Sequence, residues 1–253
     1  MQRWVRSPRS FAAGGAASAE QTPHGQLGNV RIAFERMGGP GGGVYWLDGG
    51  SVVWGVVGRP IRIVRHATGN AQSQTIGSFE QPFSQLCPAY MGSMDGPPSV
   101  SPSGEVLFVC QRQALYRRVP NGQPALLCQR PDDTAFVRNA AWSPNGERVA
   151  FLSHRTAQHT SGPGFVRIHM LNATGGTPTL VAERIVPAGS EQFGNAPHLT
   201  LCWAGSDRIV FAAPTGQFTA HIFVVPAAGG MPEQLTSAPG VSDGSVSCSR
   251  GAS

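Results

Sequence analysis

Short apolar runs separated by turn-forming residues recur through the second half of the chain. The clearest are Val-Leu-Phe at 106–108, Arg-Val-Ala-Phe-Leu at 148–152 and Arg-Ile-Val-Phe-Ala at 208–212. Runs of this length that are rich in β-branched and aromatic residues, and that are bounded by glycine and proline, are typical of buried strands. The pattern predicts an all-β chain without long helices.

Each apolar run follows a tight-turn motif. Val-Ser-Pro-Ser-Gly-Glu at 100–105 aligns with Trp-Ser-Pro-Asn-Gly-Glu at 142–147 and with Trp-Ala-Gly-Ser-Asp at 203–207. In such a turn proline presets φ and glycine relieves backbone strain. A fourth copy starts with Cys-Ser-Arg-Gly at 248. The copies start about 40–60 residues apart, near the period of a four-stranded propeller blade.

A second block recurs downstream of each complete copy. A leading aliphatic residue is followed seven positions later by glycine, and then by proline and leucine. The leading residues are Leu115, Ile168 and Ile222, and the leucines are Leu126, Leu180 and Leu235. This block predicts a third strand, a hairpin turn and a fourth strand. A small antiparallel sheet of this kind cannot bury both of its faces alone, so radial stacking into a β-propeller is predicted.

The head of the chain fits the repeat loosely. Val-Arg-Ile-Ala-Phe at 30–34 predicts the buried strand of a blade, and the segment 44–49 predicts the strand and turn after it. Segments 51–57 and 59–66 predict a degenerate further blade. The predicted propeller spans 28–253 and has about four to six blades of four antiparallel strands. It is either incomplete or closed by N- and C-terminal strands that share one blade.

The repeat resembles the WD-like repeats of TolB and its relatives, in which a Trp-Ser-Pro-Asp-Gly turn precedes an apolar strand and a later Gly-Gly turn precedes Leu-Thr. The matching segments here are 142–146, the Gly-Gly pairs at 175–176 and 229–230, and Leu-Thr at 235–236. The resemblance implies the propeller fold, and a periplasmic address if this chain follows the TolB relatives. The same repeats occur in non-catalytic propellers of prolyl-oligopeptidase-type peptidases, so the fold leaves function open.

Composition narrows the function classes. The chain has 33 glycines and 21 prolines, and all 19 of its basic residues are arginine, giving a net charge of +5. The arginines are spread along the sequence, which disfavours nucleic-acid binding. The five cysteines include no Cys-x-x-Cys pair and are predicted to be small buried apolar residues.

The N-terminal residues 1–27 are predicted to be a disordered or targeting-like tail. The first 19 residues contain three arginines and no acidic residue. That composition resembles a mitochondrial transit peptide, and a disordered tail has the same composition. No apolar stretch approaches the ~20 residues of a membrane span, so the sequence predicts a soluble protein whose compartment stays open.

Motifs for catalysis are weak. Gly-Val-Ser-Asp-Gly at 240–244 matches the Gly-x-Ser-x-Gly elbow of hydrolases, but no histidine follows it, so a turn is predicted instead. The seven histidines form no His-Glu-x-x-His or His-x-His pattern. We therefore expect no catalytic set, no metal and no cofactor in this chain.

The candidate binding residues are His154, Arg155 and His159. They are predicted to share a long loop over 153–164, which is the largest departure from the repeat. Insertions of this kind gather on one face of a propeller, where ligands bind. The first hypothesis is therefore a non-catalytic module that binds a protein or peptide through its loop face. The alternatives are the substrate-gating propeller of a prolyl-oligopeptidase-type peptidase whose hydrolase domain is absent from this chain, and an enzyme acting within the central channel.

Overall fold

The computed structural model describes the backbone of six strands between residues 26 and 79. It describes residues 99–248 with their side chains, except 111, 121, 132–134, 156–163, 188–198, 217–218, 238–245 and 247. The described strands form four antiparallel sheets of four strands each, together with a two-stranded pair, β1 (Gln26–Leu27) and β2 (Val30–Arg31). No helix occurs within these described residues.

The first blade combines segments that the sequence assigned to two different blades. Its strands are β3 (Val44–Asp48), β4 (Ser51–Val56), β5 (Ile61–Ala67) and β6 (Ser73–Phe79). The division of this region into 44–49 and a separate degenerate blade was therefore wrong. Asp48 pairs with Ser51 across two glycines of the sequence, a spacing that joins neighbouring antiparallel strands rather than separate blades.

The other three blades follow the predicted repeat. In each of them, four consecutive strands pair in chain order. The second blade contains β7 (Ser99–Val100), β8 (Val106–Cys110), β9 (Ala114–Arg118) and β10 (Pro124–Gln129). The third contains β11 (Phe136–Trp142), β12 (Arg148–Arg155), β13 (Gly164–Asn172) and β14 (Thr179–Val186). The fourth contains β15 (Leu201–Ala204), β16 (Arg208–Pro214), β17 (Ala220–Pro226) and β18 (Glu233–Gln234).

The predicted turns have the backbone that their glycines allow. Gly104, Gly146 and Gly205, in the turns between the first two strands of the three blades, all have positive φ near 70–85°. Gly175 and Gly229 also have positive φ, in the turns between the last two strands. These conformations are rarely adopted by other residues, and they confirm the two turn positions predicted from the repeat.

An aromatic pair occupies the same register in three blades. Residues on the second and third strands stack directly across from each other, with ring centroids 4.9–5.7 Å apart. The pairs are Phe108 with Tyr116, Phe151 with His169, and Phe211 with Phe223. Cross-strand aromatic pairs of this kind stabilise a sheet beyond the area that they bury. The second, third and fourth blades thus share one aromatic register across their middle strands.

The second, third and fourth blades pack face to face. Trp142 lies in a buried cluster that also contains Leu107 and Phe151, so this cluster joins the second blade to the third. Trp203 lies in the cluster between the third and fourth blades, with Leu152 and Phe211. Both tryptophans stand in the first strand of a blade and are buried. Both are therefore packing residues between blades, and only Trp203 also donates its indole N–H, to Ala141.

Side-chain oxygens in or just before a first strand link the second blade to the third, the third to the fourth, and the fourth to Val246. In each case a buried or half-buried side chain accepts a hydrogen bond from a backbone N–H of the later segment. The acceptor and donor pairs are Ser99 with Trp142 (3.1 Å), Asn139 with Leu201 (2.8 Å) and Thr200 with Val246 (2.7 Å). Val246 is thus held by the fourth blade as Leu201 is held by the third.

A glycine turn brings neighbouring blades into close backbone contact. A Cβ placed on Gly175 lies 3.0 Å from the carbonyl oxygen of Leu127, whereas one placed on Gly176 meets no atom within 4 Å. Both glycines have positive φ. Gly175 therefore allows the second and third blades to approach closely, in addition to allowing the turn.

Gly175→Ala is expected to destabilise the protein by more than Gly176→Ala. Both variants carry the conformational cost of positive φ, about 1–2 kcal/mol, and only the first adds a clash with Leu127. Thermal denaturation of the two variants measures the difference. Equal losses in melting temperature would show that the close approach costs nothing.

The structure corrects the prediction for three of the cysteines, which are disulfide-bonded. Cys202 and Cys248 form a disulfide with a Cα–Cα distance of 5.6 Å, and Cys110 is also disulfide-bonded. Cys128 is a free, buried thiol as predicted, and its burial raises the pKa to about 11. The sequence spacing carried no signal of this pairing, because the partners come from different copies of the repeat.

None of the described residues belongs to a helix that is long and apolar enough to cross a membrane.

Candidate functional site

Two of the three predicted site residues lie in a strand. β12 continues to Arg155, so His154 and Arg155 belong to the sheet and not to the loop predicted over 153–164. His154 pairs with Phe136 on one side and with Val166 on the other, and its side chain is buried. His159 lies outside the described residues. The strand persists past the apolar run because both of its neighbours continue to pair with it.

His154 lies against a buried arginine. The Nε of Arg138 donates to His154 Nδ1 at 3.2 Å, and one of its terminal nitrogens lies 3.3 Å from His154 Nε2. A ring nitrogen that accepts a hydrogen bond from a guanidinium carries no proton. Arg138 and Arg112 also lie over the ring of Phe136, each with its guanidinium carbon 6.0 Å from the ring centroid. His154 therefore positions a cation rather than presenting itself to solvent.

Arg155 extends the same pattern to the next strand. Its guanidinium carbon lies 4.5 Å from the centroid of the Phe165 ring, and that of Arg167 lies 3.7 Å from it. Arg167 also pairs with Glu183 on β14. Both arginine side chains are partly exposed, whereas Phe165 is buried. A cation over an aromatic face is attracted by the ring quadrupole, so the phenylalanine fixes the two cations in place.

These residues form two cation–π groups at one end of the third blade, one on the ring of Phe136 and one on the ring of Phe165. We call them together the arginine-rich end, which consists of Arg112, Phe136, Arg138, Arg155, Phe165 and Arg167. Both groups lie where β11 and β13 begin and β12 ends, and Arg138 is buried whereas the other three arginines are partly exposed. Guanidinium groups bind carboxylates through charge-assisted, often bidentate hydrogen bonds. The arrangement suits a ligand that carries carboxylates.

A repeated tripeptide in the sequence marks the arginine-rich end, and it contains neither a histidine nor an acidic residue. The tripeptide Phe-Val-Arg occurs at 136–138 and again at 165–167. In a strand, residues two positions apart point to the same face, so each tripeptide places an arginine beside a phenylalanine. The repeated tripeptide starts the first and third strands of one blade, which brings both pairs to the same end.

A serine and a histidine also meet within the third blade. Ser153 Oγ lies 3.0 Å from His169 Nε2, and the His169 ring stacks on Phe151 at 4.9 Å. Ser153 is fully buried and His169 nearly so. A nucleophile must reach its substrate, and this hydroxyl has no access to solvent. Ser153 and His169 thus form a hydrogen bond between neighbouring strands. His169 occupies the position that Tyr116 and Phe223 occupy in the other two blades.

Arg184 lies apart from the arginine-rich end. Its guanidinium carbon is 4.2 Å from the centroid of Phe223, so it lies between the third and fourth blades. Desolvation by burial lowers its pKa, and its buried Nε has no hydrogen-bond partner. This arginine packs the junction between two blades and takes no part in the candidate site.

The described side chains contain no cluster of three or more histidine, cysteine, aspartate or glutamate residues that is able to hold a metal ion. The Gly-x-Ser-x-Gly motif at 240–244 lies outside the described residues.

Comparisons with known proteins find structural similarity alone. No protein-family model matches the sequence, and the search of curated proteins returned no match. TolB from Acinetobacter baumannii has 17% identity and a TM-score of 0.46, and the match covers 76% of this chain and 42% of that one. An oligogalacturonate lyase in complex with manganese has 9% identity and a TM-score of 0.47, with coverage of 76% and 52%.

YCF48 bound to D1 peptide has 15% identity and a TM-score of 0.42, and the match covers 81% of this chain and 57% of that one. This chain thus spans about half the length of these three proteins. Similarities at this level agree with a TolB-like or WD-like propeller fold and carry nothing further. The propeller fold of this chain is established by its own four-stranded blades and the junctions between them.

Proposed function

We propose that this chain is a non-catalytic propeller module that binds a protein or peptide partner through the arginine-rich end. The observation that supports it is the stacking of Arg155 and Arg167 on Phe165, with partly exposed guanidinium groups beside the connection 156–163. Connections at one face of a propeller are where partners bind. The proposal moves the binding residues from the predicted loop to the strand ends that flank it.

The chemistry of this surface favours an acidic segment in the partner. A carboxylate beside a guanidinium that is already held in place loses little side-chain entropy on binding. Arg112 adds a further partly exposed cation at the ring of Phe136.

The proposal predicts selective binding of an acidic peptide. A fluorescein-labelled octapeptide rich in glutamate is expected to bind this chain, and an otherwise identical lysine-rich octapeptide is not. Arg155→Glu is expected to weaken the glutamate peptide about tenfold, because it replaces one charge-assisted hydrogen bond with repulsion. Fluorescence anisotropy at low and high salt measures both effects, and the affinity should fall as salt screens the charges.

Arg208→Glu is the matched control. It makes the same charge change at an exposed position in the fourth blade, away from the arginine-rich end. Its affinity for the glutamate peptide should stay close to that of the unchanged chain. Equal binding of the two peptides, no binding of either, or equal effects of the two substitutions would each refute the proposal.

A further inference from the structure

The fourth blade meets the next segment of chain through a covalent bond. Val246 donates its backbone N–H to Thr200 Oγ1, just as Leu201 donates to Asn139 Oδ1 at the preceding junction. Two residues beyond Val246 stands Cys248, which is bonded to Cys202. Residues 246 and 248 therefore hold the positions, relative to β15, that residues 201 and 203 hold relative to β11.

The disulfide stands where the preceding junction has a tryptophan hydrogen bond. At that junction Trp203 Nε1 donates to the carbonyl oxygen of Ala141 at 3.1 Å. Ala141 and Cys202 each precede the tryptophan position of their own blade by one residue, and Trp203 and Cys248 are the tryptophan positions that follow. A covalent S–S bond and an indole hydrogen bond thus link the same two positions of the repeat.

The replacement has a structural reason. Cysteine buries far less apolar surface than tryptophan, and it cannot receive the cation–π contact that Arg148 makes with Trp203 at 5.3 Å. Among the described residues, the non-covalent link at this junction is the bond from Val246 to Thr200, within a cluster that includes Val210 and Ile222. A bond that closes a loop of 46 residues makes up for this smaller contact.

We propose that the Cys202–Cys248 disulfide is a redox lock that holds Val246 and Cys248 on the fourth blade in place of the tryptophan link. Oxidation joins the two Sγ atoms and releases two protons. The two electrons pass to a disulfide oxidant such as oxidised glutathione, which leaves as two thiols. Two molecules of reduced glutathione reverse the exchange: they supply the two electrons and two protons that return both cysteines to thiols, and they leave as one disulfide. Reduction frees Val246 and Cys248 while the second, third and fourth blades stay folded.

Hydrogen exchange at two backbone amides tests the lock. The Val246 amide reports on the locked segment, and the Leu201 amide reports on the preceding junction, which has no disulfide among its described contacts. Dithiothreitol, or the double variant Cys202→Ser with Cys248→Ser, is expected to speed exchange at Val246 about tenfold or more and to leave Leu201 unchanged. The serine variant separates this bond from the disulfide of Cys110, which dithiothreitol also reduces.

A second variant rebuilds the other kind of junction. Cys202→Ala with Cys248→Trp places at this junction the residue pair found at Ala141 and Trp203. It is expected to keep Val246 slow to exchange in oxidising and reducing buffer alike. The lock is overturned if Val246 exchanges equally fast in the oxidised protein and the serine variant, or if Leu201 accelerates to the same extent. Rapid exchange at Val246 in the alanine and tryptophan variant would overturn the equivalence of the two links.

Discussion

Trp203→Ala is expected to lower the free energy of unfolding by about 3–5 kcal/mol, the usual cost of truncating a large buried aromatic residue. The indole fills the cluster between the third and fourth blades, donates to Ala141 and lies under the guanidinium of Arg148. Its removal leaves a cavity at a junction and also an acceptor without its donor. Urea denaturation followed by far-UV circular dichroism measures the loss.

Two further variants make this result interpretable. Trp203→Phe keeps most of the apolar volume and loses the hydrogen bond, so about 1–2 kcal/mol is expected. Leu180→Ala truncates an apolar side chain that is 56% exposed on the outer strand of the third blade, and it should change stability by about 0.5 kcal/mol or less. A Trp203→Ala variant no less stable than Leu180→Ala would contradict the role of the tryptophan in joining the blades.

Asn139→Ala is expected to cost about 1–3 kcal/mol. Asn139 is buried in β11, and its side-chain oxygen accepts the N–H of Leu201 across the junction. Alanine leaves that buried donor without a partner, which carries the full desolvation penalty. Asn139→Thr should recover part of the loss, because Thr200 makes the equivalent bond at the next junction.

The control for this prediction is Asn172→Ala, at an exposed position at the end of β13. It is expected to change stability by about 0.5 kcal/mol or less. Exchange of the Leu201 amide should accelerate in Asn139→Ala and stay unchanged in Asn172→Ala. If both variants lose the same stability, the hydrogen bond between the blades contributes nothing of its own.

Local chemistry made the blades predictable. The second and third strands carry apolar runs, and the turns on either side carry proline or glycine at fixed places, so both strands and both turns followed from the repeat. Phe108, Phe151 and Phe211 marked the register of the second strand, and the structure places all three in equivalent aromatic pairs. These strands and turns depend on residues within one blade, so they are predictable without knowing which blades pack beside it.

The features that the sequence did not predict depend on contacts between distant segments. β12 runs on through His154 and Arg155 because Phe136 and Phe165 pair beside it, and polarity alone suggested a loop there. The disulfide joins residues from successive copies, and only an alignment of Cys248 with Trp203 points to it. The first blade was divided wrongly because its strands lack the Ser-Pro-x-Gly turn that separates the units elsewhere.

The binding role of His154, Arg155 and His159 stays a prediction, and the structure places the first two of these residues in β12 and not in a loop. Histidine was predicted to bind a partner because its side chain is often functional, but His154 is buried against Arg138. Arg138 and Arg167 each follow a phenylalanine by two positions, and the structure buries the first and leaves the second partly exposed. The sequence alone does not show this pattern as a site, because β11, β12 and β13 must first pair to bring the two tripeptides to the same end of the blade.

The three junction links have a consequence for the order of the blades. Ser99, Asn139 and Thr200 hold their neighbours with three different side chains, and a tryptophan reinforces one junction where a disulfide reinforces the next. A shuffled chain with the third and fourth blades exchanged would keep every strand pair within a blade. It would also separate Cys202 from Cys248 and Trp203 from Ala141, so the residues at these junctions fix the order of the blades that they join.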